Sequence, residues 1–151
     1  MTKRRRNYDN EYRYDITVTS WEAHVSFNDY AYINIFDCEP YQESAYISLC
    51  GTLASTGSKK LKKGTPAEVV LHPTTSYERF DWEKRDLPIG DVIIKLNPKT
   101  LIARIRIPMR SYDLIKSYMS YKPTGEIDLV GTEISRRRAD IFYLCFNSKK
   151  F

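Results

Sequence analysis

The sequence lacks the features of a membrane or secreted protein. No apolar run approaches the ~18 residues that a membrane-spanning helix needs, and the basic residues 3–6 are not followed by the apolar stretch of a secretory signal. Cysteine is scarce: Cys38, Cys50 and Cys145 are far apart and lie beside apolar residues. We expect buried free thiols, the state favoured in a reducing compartment. The sequence therefore predicts a cytoplasmic protein without membrane contact.

Motifs for metal, nucleotide or hydrolytic chemistry are also missing. The patterns Cys-x-x-Cys, His-Glu-x-x-His and Gly-x-Ser-x-Gly do not occur. The segment 51–60 fails as a phosphate-binding loop, because five residues rather than four separate Gly51 from Gly57. In addition, Ser58 stands between Gly57 and Lys59. No metal and no cofactor are predicted.

Histidine is nearly absent, which limits acid–base and nucleophilic chemistry. A thiol–histidine pair would require Cys50 or Cys145 to meet His24 or His72, and both thiols lie in apolar, strand-like segments where an activated thiolate is not expected. Carboxylates occur in the predicted loops, but their spacing does not indicate a pair that acts as catalytic acid and base. The sequence therefore predicts no catalytic residue.

What the chain does contain is aromatic residues and a repeated alternation of apolar and polar residues. Twelve tyrosines, six phenylalanines and few alanines favour strands over helices. About eight segments alternate with a period of two, separated by turn signals roughly every ten residues. We predict a mainly β protein, an antiparallel β-sandwich of jelly-roll-like or immunoglobulin-like topology over residues 14–148. A flexible basic arm over residues 1–13 is expected to precede it.

The alternation also predicts details of individual strands. In the first strand the apolar phase shifts after Ser20, which predicts a β-bulge or a bend. A strand that is apolar on both faces is predicted over residues 30–38. The segments "IGDVIIKL" and "LIARIRI" flank a loop at 97–100 and are predicted to form a hairpin in which Asp91 faces Arg106. The arginines of this hairpin are expected on a solvated outer face.

One helix is predicted over residues 111–121. Ser111 is the candidate N-cap, and Asp113 stands in the first turn, where the helix dipole favours negative charge. Helical spacing places four large side chains on one buried stripe: Leu114, Ile115, Tyr118 and Met119. This helix is expected to cover an open end of the sandwich.

The net charge of +5 is carried by the chain termini when residues are counted along the sequence. Residues 1–6 and 149–151 contain six basic residues, and the rest of the chain has 18 basic against 19 acidic residues. Three basic clusters nevertheless stand out: Arg4, Arg5 and Arg6; Lys59, Lys60, Lys62 and Lys63; Arg136, Arg137 and Arg138. If the fold brings them to one end of the molecule, they form a basic patch suited to phosphate groups.

The long connection over residues 73–88 is the other segment that suggests a function. Connections of this length usually pack against something or bind something. Its Tyr77, Arg79, Phe80 and Trp82 belong to residue types that dominate protein–protein hot spots. We therefore predict, first, a non-enzymatic module that binds another protein through these residues, as an adaptor, inhibitor or immunity-type protein.

Two alternatives stay open. A nucleic-acid-binding protein would use the three basic clusters for phosphates. The candidates for stacking on bases are Tyr77, Phe80 and Trp82 in the long connection and Tyr8, Tyr12 and Tyr14 near the arm. An enzyme whose site the sequence does not reveal is the third possibility. A pocket that gathers His72, Cys50 and a carboxylate would favour it.

Overall fold

The structure, a computed structural model, describes residues 11–29, 41–74, 88–122 and 124–147. These residues form seven strands and one helix. In chain order the elements are β1 (Tyr12–Asp29), β2 (Tyr41–Thr56), β3 (Pro66–Thr74), β4 (Gly90–Lys95), β5 (Thr100–Pro108), α1 (Met109–Tyr121), β6 (Gly125–Gly131) and β7 (Arg138–Asn147).

The seven strands form one closed mixed sheet in the order β1-β2-β3-β5-β4-β7-β6, and β6 pairs with β1 to complete the barrel. Neighbours are antiparallel except β3 and β5, which are parallel. The prediction of a mainly β fold with one helix is confirmed. The strands do not form two packed layers. The first and last strands in the sheet order, β1 and β6, pair with each other instead of ending as edges. The described residues contain seven strands rather than eight, and the strand predicted over 30–38 lies outside them.

Alternation along each strand sends every second side chain into the barrel. The interior is filled by aliphatic side chains and one tyrosine, as expected for a small barrel. The inward residues are Tyr14, Ile16, Val18, Ile47, Leu49, Leu53, Ala67, Val69, Leu71, Val92, Ile94, Leu101, Ala103, Ile105, Ile127, Leu129, Ala139 and Ile141. Because the interior is apolar, a site built from polar side chains must lie on the outer face or at one of the two ends.

Both ends of the barrel are closed by apolar side chains. At one end helix α1 contributes Tyr112, Ile115 and Met119, all buried. At the other end the connections after β2 and β6 contribute Leu61 and Ile134, which are 4% and 1% exposed. The burial of each such side chain stabilises the fold by roughly 1.5–3 kcal/mol.

The phase shift predicted in the first strand is present as a bulge at the β1–β2 pairing. Val18 pairs with Gly51 and Ser20 pairs with Cys50, so Thr19 is the extra residue. A Cβ atom at Gly51 would lie 1.7 Å from the carbonyl oxygen of Thr17, so only glycine fits beside the bulge. Beyond it, β1 pairs with β2 but no longer with β6, and from the His24–Tyr46 pair onward β2 no longer pairs with β3.

The β4–β5 hairpin forms as predicted, but in a different register. Asp91 pairs with Arg104 rather than Arg106, because the turn spans residues 96–99 instead of 97–100 and Lys95 pairs with Thr100. The pairing therefore slips by two residues, which leaves each side chain on its expected face. The arginines are exposed on the outer face, as predicted.

Helix α1 begins earlier than predicted, and its buried face is different. Pro108 rather than Ser111 is the N-cap, no side chain caps the first turn, and Asp113 lies beyond that turn. Leu114 and Tyr118, expected on the buried stripe, are 50% and 51% exposed. The buried stripe starts at Tyr112, because the helix meets the barrel along that side. No helix in the described ranges combines the length and apolarity needed to cross a membrane.

Candidate nucleic-acid interface

Four chain segments meet at the end of the barrel opposite helix α1. Three are the connections 57–65, 96–99 and 132–137. The fourth is the start of β1, because the amide of Gly57 donates a hydrogen bond to the carbonyl of Arg13 over 3.1 Å. β1 therefore begins at this end.

Direct contacts join the connections to one another. The Lys60 ammonium donates to the carbonyl oxygen of Ile134 over 2.7 Å, and the Lys99 ammonium donates to the carbonyl oxygen of Lys60 over 2.6 Å. The amide of Ile94 donates to the carbonyl of Arg137 over 2.9 Å. Two of the three predicted basic clusters thus lie side by side, with the β4–β5 turn between them.

The lysine-rich connection after β2 is an ordered cap and not merely an exposed loop. Its only large apolar residue, Leu61, is buried in the barrel end. The connection is closed by two backbone hydrogen bonds of 2.8 Å, from Leu53 to Thr65 and from Gly64 to Leu53. Because the backbone is held from both sides, the lysines around Leu61 are fixed at the rim while their charged groups reach solvent.

We define the basic end as residues 57–65, 95–99 and 132–138. It contains nine basic residues and one acidic residue, Glu133. The other residues that the structure describes include six basic and eleven acidic residues. Among the described residues the basic end is therefore positively charged and the remainder is negatively charged, although the sequence count gives a body of about neutral charge.

Six cations of the basic end form no hydrogen bond or ion pair through their side chains within the part of the chain that the structure describes. They are Lys59, Lys62, Lys63, Lys95, Arg136 and Arg137. Arg138 is different, because it lies 3.0 Å from Asp91, which also holds Arg104 at 3.5 Å. The six cations are thus available to an anionic partner.

The β6–β7 turn places two of these cations at a conformational cost. Ser135 and Arg138 exchange backbone hydrogen bonds of 2.9 and 3.1 Å across a two-residue turn. Its central residues Arg136 and Arg137 have positive φ values of 53° and 63°. This is the pattern of a type I′ turn, for which Asn-Gly is the favoured pair, and a left-handed residue other than glycine costs about 1–2 kcal/mol. Such strain at a surface turn points to a role for the side chains.

The other residues predicted for nucleic-acid binding are placed differently. Tyr14 is completely buried, donates its hydroxyl to the carbonyl of Thr132 over 2.7 Å, and has a raised pKa because of burial, so it is wrong as a stacking residue. Tyr12 is half-buried at the rim. The arm residues Tyr8, Arg4, Arg5 and Arg6 lie outside the described residues.

The residues predicted for protein binding, Tyr77, Arg79, Phe80 and Trp82, also lie outside the described residues. The thiol–histidine arrangement that would favour an enzyme is only partly assembled. Cys50 is opposite Glu68, but His72 is four residues further along β3, roughly 13 Å away at the rise of a strand. Cys50 and Cys145 are half-buried rather than buried, because both lie on the outer face. Among the described residues no group of three histidine, cysteine or acidic side chains is arranged to hold a metal.

Sequence reasoning missed Lys95 and Lys99 as members of the basic cluster. They bracket the β4–β5 turn, and Lys99 contacts the lysine-rich connection. The sequence contained a signal for this, because two hairpins whose first strands run in the same direction have their turns at the same end of a sheet. The register of the closed sheet was needed to apply it.

No protein-family model, curated protein or solved structure matches this chain.

Proposed function

We propose that this protein binds nucleic acid through the basic end, by contacts to the phosphate backbone that are independent of sequence. The observation that carries the proposal is the convergence of three basic connections, joined through Lys60 and Lys99. Among the other described residues, acidic side chains outnumber basic ones. A concentrated array of lysine and arginine side chains is the electrostatic footprint of phosphate recognition.

The charge separation favours a polyanion over a neutral or mixed partner. Each phosphate that a lysine or arginine neutralises releases condensed counterions, so affinity falls as salt rises. The acidic remainder of the body repels the same polyanion and orients the molecule with its basic end towards it. Lys60 and Lys99 hold the connections together, and the six unpaired cations face outward to the ligand.

The experiment is a titration of a labelled duplex and a labelled single strand at several salt concentrations. Six phosphate contacts correspond to a slope of about −5 in log K against log salt for duplex DNA. The variant K59Q/K62Q/K63Q should reduce that slope by about 3 and weaken binding at low salt. The matched control R110Q/K116Q/K122Q removes the same charge at the helix end and should leave the slope nearly unchanged. Equal effects of both variants, or no binding at ~50 mM salt, would refute the proposal.

Protein binding is the second candidate. Helix α1 exposes Leu114, Tyr118 and Tyr121, which follow one another at helical spacing and are 50%, 51% and 87% exposed. An apolar face of this kind suits a protein partner. Contacts through Tyr77, Arg79, Phe80 and Trp82, a role as adaptor or inhibitor, and a cytoplasmic location remain proposals beside it.

A further inference from the structure

A row of ring and guanidinium side chains crosses four neighbouring strands on the outer face of the barrel. His24 of β1 pairs with Tyr46 of β2. Tyr46 is one step beyond the Ile47–Leu71 pair, which places it beside His72 of β3. His72 in turn pairs with Arg106 of β5. We call His24, Tyr46, His72 and Arg106 the aromatic row.

The rings of the aromatic row are in contact. The imidazole of His24 is stacked on the phenol of Tyr46, with centroids 4.9 Å apart and planes at 20°. Tyr46 and His72 are 6.0 Å apart at 54°. His24 is exposed, and β6 pairs with β1 only as far as Val18, so no described strand continues the sheet beyond the imidazole. The stack therefore ends in an open ring face.

Positive charge lies at the other end of the same row. Burial lowers the pKa of His72, and the nearby Arg104 and Arg106 lower it further. The side chain of Arg104 is 55% exposed and is oriented by Asp91. The surface thus places aromatic rings beside two guanidinium groups.

We propose that the aromatic row binds an unpaired nucleotide of a single strand, with its base on the His24–Tyr46 stack and a phosphate at Arg104. Successive bases stack on exposed aromatic side chains, and arginine supplies the contact to the backbone. This inference rests on the proposed function and names the form of nucleic acid that the protein takes: a single strand or an unpaired end.

The row lies within reach of a strand held at the basic end. Along β3, Ala67 is next to the lysine-rich connection and His72 is five residues further. This separation is about 17 Å at the rise of an extended strand. Along β5, Arg104 and Arg106 follow Lys99 on the outer side. A strand anchored at the basic end therefore reaches the aromatic row within a few nucleotides.

The test compares two variants against three probes by fluorescence anisotropy. The probes are an oligothymidine, an abasic oligonucleotide of equal length and a duplex. Tyr46→Ala removes the ring on which His24 is stacked, so it should weaken oligothymidine binding roughly ten-fold and leave abasic and duplex binding unchanged. Tyr143→Ala, which removes a half-exposed tyrosine from β7, is the matched control and should change none of the three.

Two further variants distinguish a loss of stacking from a loss of folding. Tyr46→Phe keeps the ring and should keep the affinity for oligothymidine, and His24→Ala at an exposed position should weaken it. If Tyr46→Ala and His24→Ala bind oligothymidine like the wild type while K59Q/K62Q/K63Q binds weakly, the aromatic row is not the site and the proposed function stands. Equal weakening for abasic and thymidine probes would also overturn the row. If the wild-type protein binds none of the probes, both inferences fail.

Discussion

Two carboxylates are placed directly opposite each other on the outer face. Asp15 of β1 pairs with Asp128 of β6. Arg13 is 3.8 Å from the former and 3.7 Å from the latter, and Ser55 donates a hydrogen bond of 2.6 Å to Asp15. Partial burial, a hydrogen bond with Asp15 and the charge of Asp15 raise the pKa of Asp128, whereas Arg13 opposes this. The ionised pair therefore costs stability at neutral pH.

Replacing Asp128 should reveal that cost. Because the pKa of Asp128 is higher in the folded chain than in the unfolded chain, the folded state binds this proton more tightly. The cost is present at neutral pH and is relieved as the pH falls through the folded pKa towards about 4. Asp128→Asn should therefore stabilise the protein by roughly 0.5 kcal/mol near pH 7.5, and by less near pH 4.5. Urea unfolding at the two pH values measures this.

The control for this variant is Asp113→Asn on the exposed side of helix α1, which should show little difference between the two conditions. A stability gain for Asp128→Asn that is independent of pH would contradict the origin in like-charge repulsion.

The β6–β7 turn has a backbone conformation that its two arginines disfavour, and it places their charges on the surface. The hairpin needs two left-handed residues, and the chain supplies Arg136 and Arg137 where Asn-Gly would be less strained. The arginines extend the basic end at the point where Lys60 contacts Ile134. The two arginines thus lower the stability of the turn and add positive charge to the surface.

The variant R136N/R137G tests this trade. We expect an increase in the free energy of unfolding of about 1 kcal/mol, because the preferred turn residues remove the left-handed strain. Nucleic-acid affinity should fall, with the salt slope smaller by about 2. Thermal unfolding and anisotropy titrations give the two readouts. A less stable variant, or one that binds as tightly as the wild type, would show that the arginines serve the turn itself.

At the scale of the whole molecule, closure of the sheet gathers charge of one sign. Three basic connections meet at one barrel end, while eleven of the twelve acidic residues that the structure describes lie outside that end. Like charges held within a Debye length repel each other and destabilise the compact state. Folding therefore proceeds against a repulsion that a polyanionic ligand would relieve.

The variant K59Q/K62Q/K63Q should consequently be more stable than the wild type at low ionic strength, by about 1–3 °C in Tm. The difference should vanish near 1 M salt, where the Debye length is only about 3 Å. Melting curves at ~10 mM and ~1 M salt decide the matter. A variant less stable than the wild type at both concentrations would place the lysines in structural roles instead.

Period-two alternation was enough to predict the β-rich fold, the bulge near Ser20, the β4–β5 hairpin and its wet outer face. It was not enough to predict register. The hairpin slipped by two residues because either register keeps Asp91 outside, and the turn geometry that distinguishes the two is local to residues 96–99. The predicted buried stripe of helix α1 was partly wrong for a similar reason, because helical spacing does not identify which side of α1 packs against the barrel.

In strands with one apolar face, the sequence by itself determined which residues face inward, because only that face can be buried. It also determined the chemical identity of each basic cluster. Only the tertiary structure decided that the sheet closes on itself, since pairing of β1 with β6 depends on contacts more than a hundred residues apart. That closure brings the β2–β3, β4–β5 and β6–β7 connections together, and it aligns His24, Tyr46 and His72 across strands that the sequence keeps separate. Net charge adds along a chain regardless of order, whereas an electrostatic surface depends on position, and position is set by the fold.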